Sequence, residues 1–195
     1  MKIKSVGLDL DNTLIDYTQA YFKIAEIFGI TLVDLNKDSI KQHLTDYKNN
    51  DVEWQRFQSI LYTKGLDYAE LAPGLLNFLK FCKTKRVKVS VVSHKTLTTP
   101  KKFGNLNLRT PALKWLKEQQ LIPTLISLED IFFCPSKSLK IEKINQLKCD
   151  IFVDDLEEVL NDSNLNFDVK KVQFSNELKN NSISNFEELI EMLDN

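Results

Sequence analysis

The sequence predicts an α/β protein: a parallel, doubly wound sheet with helices on both of its faces. Two observations carry this. Short apolar runs (Ile3 to Leu10, Val87 to Val92, Ile151 to Val153) alternate with stretches whose apolar residues recur at helical spacing. Strands separated by helices pair in parallel and are covered on both sides. The runs also end in polar or acidic residues, and sheets of this class bind ligands outside the carboxyl ends of their strands.

Length and composition bound the rest. The chain has 195 residues, which suits one domain with an insertion. With 43% hydrophobic and 27% charged residues it is neither disordered nor collagen-like. Lys plus Arg number 26 against 27 Asp plus Glu, a net charge of −1, so nothing calls for a nucleic acid or an anionic membrane as partner. Cys82, Cys134 and Cys149 are odd in number and form no zinc or C-x-x-C spacing, which fits a reducing compartment. Asp9 and Asp11 interrupt the apolar start before it reaches signal-peptide length. The expected setting is therefore cytoplasmic.

The elements follow in order. Ile3 to Leu10 reads as a buried strand. Tyr21, Phe22, Ala25 and Phe28 mark one helix, and Trp54, Phe57 and Leu61 a second from Asp51, while residues 30–50 give only weak helical hints. Pro73-Gly74 opens a helix over Leu75 to Cys82. Val87 to Val92, the most β-branched run, is the second buried strand. Residues 94–110 lack periodicity, and a helix follows around Ala112 to Glu118. Of Leu125-Ile126 and Ile131 to Phe133, at least one is a strand. Ser136 caps a helix bearing Ile141, Ile144 and Leu147. Ile151 to Val153 and Val172 to Phe174 are the remaining strands, and Phe186, Leu189, Ile190 and Leu193 form the apolar face of a closing helix.

Four polar places would then gather on one sheet edge: Asp9-Leu10-Asp11-Asn12-Thr13, Ser93, Lys137 and Asp154-Asp155. Each has an ordinary explanation alone, as turn, cap or solvated residue. Together they place several carboxylates where they repel one another unless a hard divalent cation is present. A Lys and a Ser hydroxyl beside such a cation suit phosphate oxygens, and a carboxylate can attack phosphorus.

These residues resemble the motifs of the haloacid dehalogenase-like hydrolases. The first motif is matched by Asp9-Leu10-Asp11-Asn12-Thr13, the second by Ser93 after Val91-Val92, the third by Lys137 with Lys140 as alternative, and the fourth by Asp154-Asp155 after Ile151-Phe152-Val153. The motifs span residues 9 to 155 in family order. The resemblance implies a three-layer, Rossmann-like core with a small helical cap inserted after the first strand, here residues 15–72, on a core of residues 1–14 and 73–195. It implies Asp9 as nucleophile and Asp11 as acid and base. Ser93, Lys137, Asn12 and Thr13 would bind the phosphoryl group, with Thr13 also steadying the loop. Asp9, Asp154, Asp155 and the backbone carbonyl of Asp11 would hold Mg2+. Family dehalogenases and transport ATPases lack an acid two residues after the nucleophile, so Asp11 favours a phosphatase or phosphomutase, whose alkoxide leaving group needs a proton. Response-regulator receivers share the residue types in a different order.

The expected activity is a magnesium-dependent phosphatase acting on a small phosphorylated metabolite through an aspartyl-phosphate. A phosphomutase and a non-catalytic phosphate-ligand module on the same fold are the alternatives. Residues 94–117 carry six cations and no acid, against eleven acids and three lysines from Asp154 onward. His94, Lys95 and Arg109 in that basic stretch are candidates for reading a second anionic group on the substrate.

Overall fold

The computed structural model describes residues 3–48, 51–166, 168–175 and 181–194. Six strands form one sheet: β1 (Ser5–Leu8), β4 (Lys88–His94), β5 (Ile131–Cys134), β6 (Ile151–Asp154), β7 (Lys170–Phe174) and β8 (Ser182–Ile183). Their spatial order is β5-β4-β1-β6-β7-β8, and every neighbouring pair is parallel. The chain therefore winds outward from β1 in one direction through β4 and β5, then returns to build β6, β7 and β8 on the other side. Strand order reverses at β1, where a sheet of this kind opens a crevice beyond its carboxyl ends. The register sets Leu8 level with both Val91 and Val153.

The helices flanking the sheet are α4 (Leu75–Lys85), α6 (Lys137–Leu147), the short α7 (Glu157–Leu160) and α8 (Phe186–Asp194). Ile141 and Ile144 of α6 join Val92, Phe152, Val159 and Leu160 in one buried cluster. Phe78 of α4 meets Phe186 of α8 at 5.3 Å, and Phe186 stacks on Phe174 of β7 at 5.1 Å. Gly7 in β1 is required by close approach: a Cβ there would lie 2.5 Å from the Phe152 ring.

Two compact units emerge from the contacts. One comprises the chain up to Ile15, Leu71–Thr96 and the part from Leu116 onward; the other comprises Asp16–Glu70 and Leu97–Trp115. The expected insertion, residues 15–72, lacked the second of these segments. That segment runs as a narrow loop closed by Leu108 N donating to Leu97 O and Thr99 N to Leu106 O, at 2.9 and 2.8 Å, and then enters α5 (Arg109–Glu118). The second unit also holds α1 (Thr18–Phe28), α2 (Lys37–Lys48) and α3 (Val52–Leu61). An aromatic core joins α1 to α3: Tyr21, Phe28 and Trp54 all pack on Phe57, at 6.3, 5.2 and 5.7 Å between ring centres. Where the chain passes between the units, β2 (Ile15–Asp16) pairs with β3 (Glu70–Leu71). Among the described residues, no helix is long and apolar enough to cross a membrane.

Candidate active site

Asp9 is the first residue beyond β1. Its amide donates to Val153 O at 2.8 Å, continuing the ladder with β6 by one residue. The chain then turns tightly: Leu14 N and Ile15 N both donate to Leu10 O, at 3.0 and 2.9 Å, and Asn12 N donates to Ile15 O. Asn12 takes a left-handed φ of 61°, which Asn tolerates better than most residues. Leu10 and Leu14 are fully buried and anchor the turn. Thr13 is also fully buried, and its hydroxyl has no hydrogen-bond partner.

Lys140 enters from α6 one turn in from its start, which Ser136 caps by accepting from Leu139 N at 3.3 Å. Its side chain is 2% exposed, with Nζ 2.5 Å from Asp9 Oδ1 and 2.6 Å from Asp154 Oδ2. Burial pulls this ammonium down, but Asp9 and Asp154 more than offset that and hold it above its ordinary value. Asp154 ends β6 and is wholly buried. Its Oδ1 accepts from Leu156 N at 3.0 Å, while Oδ2 has the Lys140 ion pair but no well-aligned hydrogen bond. Burial, then repulsion from Asp9, pushes its carboxyl up to about 8, with Lys140 opposing.

Asp9, Asp154 and Asp155 each offer a carboxylate oxygen within 4.8 Å of the others. Besides burial, repulsion from Asp9 and Asp155 raises the Asp154 carboxyl, and a buried oxygen of that group lacks a hydrogen bond. This donor set suits a hard divalent cation. Asp11, expected to meet the metal through its backbone carbonyl, turns its carboxylate to Lys95, with Nζ 2.8 Å from Oδ2 and 3.1 Å from Oδ1.

The other expected residues fall as follows. Ser93 lies in β4, 1% exposed, two places before Lys95. His94 is at the exposed end of β4, where partial burial and then Lys140 lower its imidazole below its ordinary value, against the Pro135 carbonyl and Asp9. Arg109 begins α5 in the second unit. Lys137 is corrected by the geometry: its Nζ is 3.3 Å from Asp162 Oδ2 and 3.2 Å from Glu158 O, and Lys140 is the lysine at the carboxylates. Both lysines lie on the helical stripe of Ile141 and Ile144, so periodicity alone does not separate them. Position within the helix does. Helical side chains lean toward the N-terminus, so the lysine one turn inside reaches back over the strand ends, and the lysine at the first helical position points past them. Lys95 as the partner of Asp11 was not read from the sequence, although the alternation Ser93–Lys95 along a strand places both on one face.

No protein-family model matches the sequence, and no curated protein does. Solved structures do. A predicted phosphatase from Clostridium acetobutylicum is 17% identical with a TM-score of 0.66, covering 100% of both chains. The Protein Tyrosine Kinase A of Mycobacterium tuberculosis is 14% identical with a TM-score of 0.65 over 98% of each chain. A HAD-superfamily hydrolase from Geobacter sulfurreducens is 16% identical with a TM-score of 0.59, over 98% of this chain and 96% of that one. The fold is thus the haloacid dehalogenase-like fold, as the motif pattern implied.

Proposed function

We propose that this protein is a magnesium-dependent phosphatase that hydrolyses a small phosphate monoester through phospho-Asp9. One observation carries the reading: at the reversal of strand order, the Asp9 carboxylate is clustered with Asp154 and Asp155 and held by the buried Lys140, with Asp11 two residues further on. Hydrolase folds among the similar structures support the same class.

In this reading Asp9 attacks phosphorus in line with the leaving oxygen. Asp11 gives that oxygen its proton, then takes one from the water that attacks phospho-Asp9. Lys140 and Ser93 hold oxygens of the transferring phosphoryl group, the place that Lys137 loses. Asp9, Asp154 and Asp155 would hold Mg2+, which when bound supplies positive charge to offset these carboxylates and the phosphoryl oxygens. Lys140 already neutralises part of the cluster, and its fixed position demands no reorganisation when charge moves to the phosphoryl group.

The test is a magnesium-supplemented panel of phosphorylated metabolites scored for phosphate release, with Asp9→Asn as control. Release that vanishes in Asp9→Asn and on chelation is the expected result. Turnover retained in Asp9→Asn would refute the nucleophile. Isomerised sugar phosphate in place of free phosphate would show a mutase, and binding without release a non-catalytic module.

A further inference from the structure

Lys95 is 3% exposed, and its ammonium contacts both oxygens of Asp11, whose side chain is 13% exposed. Its backbone is fixed as well: Lys95 N donates to Cys134 O at 2.9 Å, extending the β4–β5 ladder one residue past His94. A buried ammonium is costly unless paired, and this one is placed on the single carboxylate of the loop that lies outside the Asp9, Asp154 and Asp155 cluster. The edge thus carries two separate ion-paired sets. Lys140 serves Asp9 and Asp154; Lys95 serves Asp11. A basic residue that reads a second anion on the substrate needs its charge available, and the geometry gives Lys95 an internal partner instead.

We propose that Lys95 is a positioning residue that orients the Asp11 carboxyl for proton transfer to the leaving group. The role rests on the phosphatase reading above. As Asp9 bonds to phosphorus, the P–O bond to the leaving group breaks and the proton on Asp11 passes to the departing oxygen. Asp11 becomes a carboxylate opposite the Lys95 ammonium. In the second half, the oxygen of a water bonds to phosphorus as Asp11 takes its proton, the P–O bond to Asp9 breaks and returns that carboxylate, and inorganic phosphate leaves. Contact with both Asp11 oxygens fixes the plane of the carboxylate, the form that the first transfer produces and that takes the proton from water in the second. The benefit of Lys95 is then confined to reactions in which that proton matters.

The test is steady-state kinetics with magnesium on two probes, phenyl phosphate and para-nitrophenyl phosphate. Nitrophenolate departs without a proton far more readily than phenolate, so only the first probe leans on Asp11. Lys95→Met is expected to lower kcat/KM for phenyl phosphate about tenfold more than for the nitrophenyl ester, within the roughly hundred- to ten-thousand-fold that a general acid contributes. In an Asp11→Asn background, Lys95→Met should add nothing. Equal losses on both probes, or additive losses in the double variant, would overturn the role. If Lys95→Met does not fold, Lys95→Arg keeps the buried charge paired while changing its geometry. A loss biased toward phenyl phosphate supports the role, and full activity or an unbiased loss overturns it. Turnover retained in Asp9→Asn would instead strike the phosphatase reading, and the role of Lys95 with it.

Discussion

Replacing Lys140 with Met removes the one ammonium that Asp9 and Asp154 share. Its Nζ lies 2.5 and 2.6 Å from their oxygens, and the three side chains are 2%, 6% and 0% exposed. Removing one partner of a buried pair costs about 3–5 kcal/mol, because the remaining charge stays desolvated. In a chain of this size each kcal/mol moves Tm by about 2–4 °C, so Lys140→Met should lower Tm by roughly 6–20 °C without divalent ions. The control is Lys137→Met. That side chain is 40% exposed and 3.3 Å from Asp162, and such a pair contributes about 0–1 kcal/mol. The sign with pH follows from Asp154. Burial and Asp9 already push its carboxyl up to about 8, and Lys140 is the group pulling it down, so losing Lys140 raises it further. A carboxyl whose pKa is higher folded than unfolded adds stability at low pH and loses it as pH rises through the folded value. Below about pH 8 Asp154 holds its proton in both folded proteins and the deficit of Lys140→Met stays constant; it should widen as pH rises past about 8, where wild type ionises Asp154 and the variant does not. Thermal melts of both variants from neutral pH to above this value are the assay. A Tm within about 2 °C of wild type for Lys140→Met, or a deficit that narrows with rising pH, would refute the reasoning.

Further expectations are simpler. Gly7→Ala drives a Cβ to 2.5 Å from the Phe152 ring, so overpacking should cost about 1–3 kcal/mol in a thermal melt. An unchanged Tm would mean that Phe152 can yield. Burial pushes the thiols of Cys82 and Cys149 up to about 12 and about 11, with Asp150 adding to the second. Both should stay protonated and resist a thiol reagent at neutral to mildly alkaline pH until the chain unfolds. Rapid native-state labelling at either, located by mass spectrometry, would contradict this.

The sheet centre was legible because β1, β4 and β6 are largely buried and carry the apolar or valine-rich stretches Val6-Gly7-Leu8, Val89-Ser90-Val91-Val92 and Ile151-Phe152-Val153. Their carboxyl ends followed, and with them Asp9, Ser93, Asp154 and Asp155. The edges were less legible. β8 is two residues long, Ser182–Ile183, and presents no pattern to detect. α2 buries only Ile40 and Leu44 among its described side chains, a stripe too narrow to stand out, and depends on Asn36 accepting from Asp38 N and Ser39 N at its start. Ile131–Cys134 is the strand, while Leu125-Ile126 lies in turns whose amides bond back to Leu121 O. The choice of Lys140 over Lys137 depends on where α6 begins, to within one turn, and helix boundaries are what sequence patterns locate least well. The Lys95–Asp11 pair joins residues 84 apart in sequence, and no local pattern encodes a tertiary pairing of that separation.

The two aspartates bracketing β6 show why function, rather than folding, explains the carboxyl edge. Asp150, just before the strand, accepts from Lys4 N at 2.7 Å, Ser5 N at 2.9 Å and Ser5 Oγ at 3.1 Å. Its partial burial works against ionisation, but these hydrogen bonds prevail and hold the carboxyl below its ordinary value. Asp150 thus joins the start of β1 to the start of β6 and stabilises the fold when ionised. Asp154, four residues on at the other end, has one backbone hydrogen bond, an ion pair and no solvent, and its pKa moves in the opposite direction. The same side chain on the same strand stabilises at one end and costs at the other. Apolar residues in place of a buried charge set of the Lys140, Asp9 and Asp154 kind are often neutral or stabilising. A fold that retains them, with the buried Thr13 hydroxyl unpartnered beside Asn12, keeps a locally unfavourable arrangement that packing does not require. In the proposed function, a bound cation and phosphoryl group would supply the partners these atoms lack.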